Sequence, residues 1–221
     1  TRLDAALDPG QAGGVQRFAF APRGGQVVYT DGRVFALTLG AHPERGAVAG
    51  VELGAGSRIE VSPDGAWATF QTPTCSWDLG PECANGFDLW RAPLDGSTVP
   101  ALASSAGLYE IQRFTPDGSR VVYAKQVIAD PRWFGGLFSA PADGSSPEVS
   151  LTDPPGLLMS QRIAYFCISP DGLRVVYTHT AGMDDVLYSV AVDRSSEPVL
   201  LHSQLYDREL AGPFWLAGAL L

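Results

Sequence analysis

Apolar and polar residues alternate along this chain in short runs, and one such pattern occurs four times. The four copies are FAPRGGQVVY from Phe20, VSPDGAWATF from Val61, FTPDGSRVVY from Phe114 and ISPDGLRVVY from Ile168. Measured from proline to proline, successive copies are 41, 53 and 54 residues apart. A repeat of this length that contains several short strands is typical of β-propeller blades.

Each copy predicts two β-strands joined by a tight turn. Before the proline, every second position is large and apolar, with Gln112 as the polar exception; the pairs are Phe18 and Phe20, Ile59 and Val61, Gln112 and Phe114, and Phe166 and Ile168. Proline presets φ in the turn, and the glycine tolerates a positive φ. The β-branched and aromatic residues that follow predict second strands at 27–29, 68–70, 121–123 and 175–177.

Two further strands complete each repeat. An aliphatic residue followed by an aromatic one predicts the third strand, at Val34-Phe35, Leu89-Trp90, Leu137-Phe138 and Leu187-Tyr188. Turns at Asp95, Asp143 and Asp193 lead to fourth strands around Leu102, Leu151 and Leu201. The predicted fold is therefore an all-β propeller of four-stranded antiparallel blades.

The repeats divide the single propeller domain 1–221 into blades. We predict complete blades at 15–56, 57–107, 108–160 and 161–210, the outer strand of a preceding blade at 1–14, and the start of a fifth blade at 211–221. Partial blades at both ends indicate a fragment of a larger propeller. The alternative is that the terminal strands pair with one another and close a small ring.

Composition and charge narrow the function. The 25 glycines and 17 prolines are spread along the chain, as expected for many turns between strands. A net charge of −9 argues against nucleic acid and anionic lipid as partners. No apolar run approaches the roughly 18 residues of a membrane span, so membrane insertion is not expected, and the missing signal peptide leaves export open.

The repeated motif Ser-Pro-Asp-Gly-x-x-(Val/Ile)-x-(Tyr/Phe), followed by Leu-Tyr and Asp-Gly-Ser, resembles the TolB-like, WD-like propeller repeat over nearly the whole chain. Propellers of that family have six or more blades. The resemblance implies a bacterial, non-catalytic binding or scaffold module with a protein partner, in the periplasm or elsewhere outside the cytoplasm. It equally allows the substrate-gating propeller of a prolyl-oligopeptidase-type serine peptidase whose hydrolase domain lies outside this chain.

Two insertions between second and third strands carry the candidate contact residues. In the second repeat, 72–86 contains Trp77 and two cysteines, Cys75 and Cys83, which we predict to form a disulfide; two reduced thiols are the alternative. In the third repeat, 127–136 contains Arg132, Trp133 and Phe134. Arg and Trp are frequent at binding hot spots, although these side chains could instead cover the edge of the blade.

Glu60 and Arg113 occupy equivalent inner-strand positions in neighbouring repeats. They could form an ion pair near a central channel, either as a ligand contact or as packing.

Catalytic and metal-binding patterns are missing from the sequence. There is no Gly-x-Ser-x-Gly turn, His-Glu-x-x-His motif, phosphate-binding loop or dinucleotide fingerprint. The three histidines, His42, His179 and His202, fall at different blade positions, and Cys167 fits a small buried apolar residue. We therefore expect no cofactor and no active site; a sugar- or ion-binding propeller enzyme is the weakest of the three functional classes.

Overall fold

A computed structural model describes residues 17–22, 25–30, 34–38, 44–49, 58–73, 87–129, 132–152, 162–181 and 184–205. Every regular element in these ranges is a β-strand, which confirms the all-β prediction. The chain divides into two compact units, Thr1–Ser105 and Ala106–Leu221. Each unit contains the strands of two of the blades that the repeats predict, and the strands of the second and third blades belong to one seven-stranded sheet between Ile59 and Ser150.

The first unit contains blades 1 and 2. Blade 1 is an antiparallel sheet of β1 (Arg17–Phe20), β2 (Gln26–Thr30), β3 (Val34–Thr38) and β4 (Glu44–Ala49), in that order. Blade 2 consists of β5 (Ile59–Val61), β6 (Trp67–Pro73), β7 (Phe87–Pro93) and the first residues of β8 (Ala101–Phe114), again in chain order. Strand β8 continues without interruption into the second unit, whereas the repeats predicted two separate strands there.

The second unit contains blades 3 and 4. Blade 3 is formed by the last residues of β8 with β9 (Arg120–Ala129), β10 (Arg132–Pro141) and β11 (Val149–Ser150). Blade 4 is formed by β12 (Arg162–Ile168), β13 (Arg174–Ala181), β14 (Asp184–Ala191) and β15 (Val199–Leu205). The predicted terminal segments, 1–14 and 211–221, lie outside the described residues, and the blade boundaries and the closure of the ring stay predictions.

Because consecutive strands in each blade run antiparallel, the connections of a blade alternate between the two ends of its strands. The turns between strands one and two and between strands three and four lie at one end, which we call the turn edge. The connection between strands two and three lies at the other, which we call the hairpin edge.

The turn edge is built by the same hydrogen bonds in three blades. In blade 3 the Thr115 hydroxyl donates to Asp117 over 2.5 Å and accepts from the Arg120 amide over 3.0 Å. Asp117 also accepts from the Ser119 amide, and Gly118 turns the chain at φ 76°. These bonds satisfy backbone amides that the turn leaves without strand partners.

The corresponding turns of blades 2 and 4 repeat this arrangement. Their hydroxyl-to-carboxylate pairs are Ser62 with Asp64 and Ser169 with Asp171, each at 2.5 Å. Blade 1 has Ala21 at this position and therefore lacks the hydroxyl. Among the described residues of its turn, the Ala21 amide donates to the Gln26 carbonyl at 3.0 Å.

Within each unit the two blades pack face to face. One face of a blade, its aliphatic face, consists of short side chains, and the other, its aromatic face, carries the rings. In the first unit the aliphatic face of blade 1 packs on the aromatic face of blade 2, including Val28 against Phe70, both fully buried. In the second unit the aliphatic face of blade 3, with Val122 and Leu137, packs on Tyr177 of blade 4. Burying each such side chain contributes about 1.5–3 kcal/mol before chain entropy is counted.

Polar contacts also join blades 3 and 4. Arg194 donates to the Leu151 carbonyl over 2.8 Å, although it occupies the left-handed region at φ 60° where the equivalent turns have Gly96 and Gly144. Asp193 interacts electrostatically with Arg120, whose burial lowers the pKa of its guanidinium.

Candidate functional site

The hairpin edge differs from blade to blade, and blade 3 has the longest hairpin among the described strands. Strand pairing ends one residue beyond Tyr29 in blade 1, three beyond Phe70 in blade 2, four beyond Tyr177 in blade 4 and six beyond Tyr123 in blade 3. These four aromatic residues are equivalent in the repeat. Among the described strand pairs, β9 and β10 therefore stay paired furthest beyond this common position.

Arg132, Trp133 and Phe134 lie at the end of this hairpin. They pair with Ala129, Ile128 and Val127 in an unbroken antiparallel register. The sequence presented this segment as an insertion of the kind that forms a binding loop. It is instead a continuation of two strands, so the backbone that carries these three residues is held by the sheet ladder.

A polar and aromatic cluster supports the base of the hairpin. The fully buried Tyr123 donates its hydroxyl to Glu148. Glu148 also pairs with Lys125, with Nζ and Oε1 3.4 Å apart. Lys125 lies 5.4 Å from the ring centroid of Phe138, which stacks on Tyr123 at 6.1 Å. We call these four residues the hairpin base.

Gly136 makes this packing possible. A Cβ at this position would lie 2.8 Å from the Phe138 ring, closer than van der Waals contact allows. Since Gly136 pairs with Lys125 and Phe138 pairs with Tyr123, the ring of Phe138 lies over the strand beside the glycine. The Phe138 ring of the hairpin base can therefore pack here only because residue 136 is a glycine.

The hairpin base has the chemistry of a support rather than of a reaction centre. The Tyr123 hydroxyl and the Lys125 ammonium group share one carboxylate, so each has a partner. No nucleophile and base pair occurs here with an open position for substrate. In the described part of the chain, no three His, Cys, Asp or Glu side chains come together as a metal site.

The other candidate residues are on different elements or outside the described residues. Glu60 is half-buried on β5 of the first unit, and Arg113 is exposed on β8 of the second unit, where it donates to the Gln112 carbonyl over 2.8 Å. Trp77, Cys75 and Cys83 lie outside the described residues, as does His42. Their predicted roles, including the disulfide, stay predictions.

Two titratable side chains of blade 4 show the effect of burial. Cys167 is a half-buried free thiol, and burial raises its pKa. Burial lowers the pKa of His179, which lies on β13 near the hairpin edge. A thiol with a raised pKa is a poor nucleophile at neutral pH, in keeping with a structural side chain.

Sequence reasoning missed most of the hairpin base. Tyr123 and Phe138 were recognised as strand residues, but Glu148 stands 25 positions from Tyr123 and belongs to no motif. The one available signal was the Gly135-Gly136 pair beside an aromatic residue, which marks close packing inside a strand.

Solved structures with similar folds are propeller proteins. TolB from Acinetobacter baumannii is 15% identical, with a TM-score of 0.51 over 86% of this chain and 44% of that chain. An oligogalacturonate lyase in complex with manganese is 16% identical, with a TM-score of 0.55 over 86% of this chain and 54% of that one. A prolyl endopeptidase structure is 13% identical, with a TM-score of 0.58 over 88% of this chain and 30% of that one.

These likenesses establish the fold and no more. The blades are those of a β-propeller, as the repeat motif predicted, and TolB is among the solved structures with this fold. No protein-family model matches the sequence, and no curated protein does. The chain spans about half or less of each of the three solved chains. No helix within the described ranges is long and apolar enough to cross a membrane.

Proposed function

We propose that this chain is a non-catalytic binding module that holds a protein partner at the hairpin edge of its blades. The main support is the β9–β10 hairpin, which carries Arg132, Trp133 and Phe134 on paired strands beyond the reach of the other described hairpins. Binding energy in protein interfaces is concentrated in Trp, Tyr and Arg side chains.

Rigidity of the hairpin also supports binding. A paired strand loses less conformational freedom on binding than a free loop does, and that saving appears as affinity. The hairpin base fixes the two strands where they leave the sheet, through the bonds of Tyr123 and Lys125 to Glu148. The acidic net charge of −9 favours a partner with a basic surface.

The test is capture of a partner by the purified chain, followed by titration calorimetry with that partner. We expect Trp133→Ala and Arg132→Ala each to weaken binding by about tenfold or more. Leu173→Ala is the matched control, because it removes an exposed apolar side chain, 65% accessible, from the turn edge. Unchanged affinity in both hairpin variants would overturn the proposed site.

Location outside the cytoplasm is part of the proposal. It depends on the predicted Cys75–Cys83 disulfide, because such bonds persist in oxidising compartments. When the purified protein is denatured and its thiols are titrated, we expect one free thiol without reductant, that of Cys167, and three after reduction. Three thiols in both conditions would remove the disulfide and with it the main support for this location.

A substrate-gating propeller of a prolyl-oligopeptidase-type peptidase is the second candidate. The similarity to a prolyl endopeptidase, at a TM-score of 0.58, favours it. If it is correct, the full-length protein should cleave a chromogenic prolyl peptide, and the same protein with the nucleophilic serine of its hydrolase domain changed to alanine should not. If the full-length protein has no hydrolase activity, the second candidate is rejected and the binding module remains the proposed function.

A further inference from the structure

The described turns at the turn edge contain five Asp-Gly pairs. They are Asp64-Gly65, Asp95-Gly96, Asp117-Gly118, Asp143-Gly144 and Asp171-Gly172. In an Asp-Gly pair the backbone nitrogen of the glycine can attack the carboxyl carbon of the aspartate and close a cyclic imide, because glycine has no side chain to obstruct the approach. The five pairs share this intrinsic reactivity, so the surrounding turn decides which of them reacts in the folded protein.

The turns between first and second strands hold both reacting groups in place. In blade 3 the Gly118 amide donates to the Thr115 carbonyl over 2.8 Å, and Asp117 accepts from the Thr115 hydroxyl over 2.5 Å. The corresponding bonds of blade 4 have the same lengths, and its glycine, Gly172, is buried as Gly118 is. These bonds must break before the carboxyl carbon can reach the glycine nitrogen, so the rate depends on how often the turn opens.

The turn at Asp95, between the third and fourth strands of blade 2, holds the same groups less firmly. The residue two positions before Asp95 is Pro93, which has no hydroxyl to donate to the carboxylate. The Gly96 amide donates to the Pro93 carbonyl over 3.3 Å, the longest of the five equivalent bonds. Residues 95–99 are all exposed. The carboxylate keeps the bond from the Ser97 amide, at 2.9 Å, whose counterpart all five turns contain.

We propose that Asp95 is a site of spontaneous conversion to isoaspartate. The Gly96 nitrogen loses its proton to water and attacks Cγ of Asp95; a carbon–nitrogen bond forms, a carboxyl oxygen leaves as water, and a succinimide results. Water then adds to one of the two ring carbonyls. Opening at the former main-chain carbonyl leaves the chain running through the aspartate side chain. The water lost is regained, so the net change is an isomerisation that needs no other reactant.

The product carries one additional main-chain carbon, Cβ of Asp95, in the turn that joins β7 to β8. Asp143 is the nearest competitor, because it also follows a proline by two positions and its Gly144 bond is 3.2 Å long. Gly144 is half-buried, whereas Gly96 is exposed. We therefore expect Asp143 to react more slowly than Asp95 and faster than the three pairs that have a hydroxyl partner.

The experiment incubates the native chain in heavy-oxygen water at neutral pH, below its unfolding temperature. Peptide mapping by chromatography and mass spectrometry then follows each Asp-Gly pair, since passage through the succinimide incorporates heavy oxygen and the isoaspartyl peptide elutes separately. Asp95 should isomerise about tenfold faster than the three pairs with a hydroxyl partner, the factor expected for one hydrogen bond to a carboxylate. In urea, where the turns are lost, the five rates should become similar.

Ser169→Ala is the matched variant, because it removes the hydroxyl that holds Asp171 and leaves blade 2 unchanged. The rate at Asp171 should rise about threefold or more, while the rate at Asp95 stays the same. An unchanged rate at Asp171 would show that the hydroxyl does not protect the turn. If the rate at Asp117 rises as well, the variant has unfolded, and the wild-type comparison decides.

Two results in the wild type would overturn the proposal. Equal rates at the five sites of the native chain, or a fastest site among those with a hydroxyl partner, would mean that the turn at Asp95 is as protective as the others. Persistence of the same ranking in urea would assign the difference to the neighbouring sequence instead of the folded turn.

Discussion

The turn edge is nearly identical in three blades, whereas the hairpin edge differs from blade to blade. At the turn edge, three blades share one arrangement of hydroxyl, carboxylate and glycine, with hydrogen bonds that agree within a few tenths of an ångström. At the hairpin edge, no two of the described hairpins have the same length. The repeated edge closes each blade, and the variable edge is free to carry function because the fold does not depend on its length.

The largest expected effect is at the turn edge. Thr115→Val removes the acceptor of the Arg120 amide and the donor to Asp117 at a site that is almost fully buried. We expect the free energy of unfolding to fall by about 1–3 kcal/mol. Urea denaturation measures it.

Ser169→Ala is the internal comparison for that measurement. Ser169 makes the same two bonds but is less buried than Thr115. Its loss should therefore be smaller, because water can replace the missing hydroxyl. Equal losses at the two sites would show that burial does not set the strength of this turn.

A second prediction concerns Arg194, the non-glycine residue at positive φ in the turn of blade 4. Arg194→Gly relieves the backbone but removes the bond to the Leu151 carbonyl, whereas Arg194→Ala removes the bond and keeps the unfavourable conformation. The alanine variant should be less stable than the glycine variant by about 1 kcal/mol. Thermal unfolding compares them, and identical midpoints would contradict the assigned conformation.

A third prediction concerns acid. The Thr115 hydroxyl, with help from Ser119, lowers the pKa of Asp117, so folding favours the carboxylate. Its contribution to stability is present above the ordinary pKa of about 3.9 and is lost as the pH falls through the lower pKa of the folded state. Asp117→Asn should make stability less dependent on pH below about 4, as measured by urea denaturation at several pH values. If the free energy of unfolding depends on pH below about 4 as steeply in the variant as in the wild type, this assignment is wrong.

The smallest effect is expected at the hairpin edge. Replacing 127–134 with Asn-Gly would join Gln126 to Gly135, which already face each other in the ladder, through a two-residue turn. We expect the free energy of unfolding to change by less than about 0.5 kcal/mol. A loss of several kcal/mol would mean that the two edges are equally structural.

The turn edge was predictable because its motif recurs in the repeats. The hairpin base was not predicted, because its residues belong to no repeated motif. The positions of Thr115 and Asp117 could be read from copies of one motif, and the proline and glycine residues fixed the turn. The bond from Tyr123 to Glu148 depends on how three strands align, and strand alignment is not a local property of the sequence. The exposure of Phe18 was equally hidden, because Phe166 of blade 4 stands in the same alternating pattern and is half-buried.

The uninterrupted meander of blade 4 also bears on how the protein is made. Its strands pair in the order in which they leave the ribosome, β12 with β13, then β13 with β14, then β14 with β15. Contacts that are close in sequence form quickly, and domains fold while synthesis continues. A blade of this kind can close its hairpins in the order of synthesis, so β15 is the last of its strands to gain a partner.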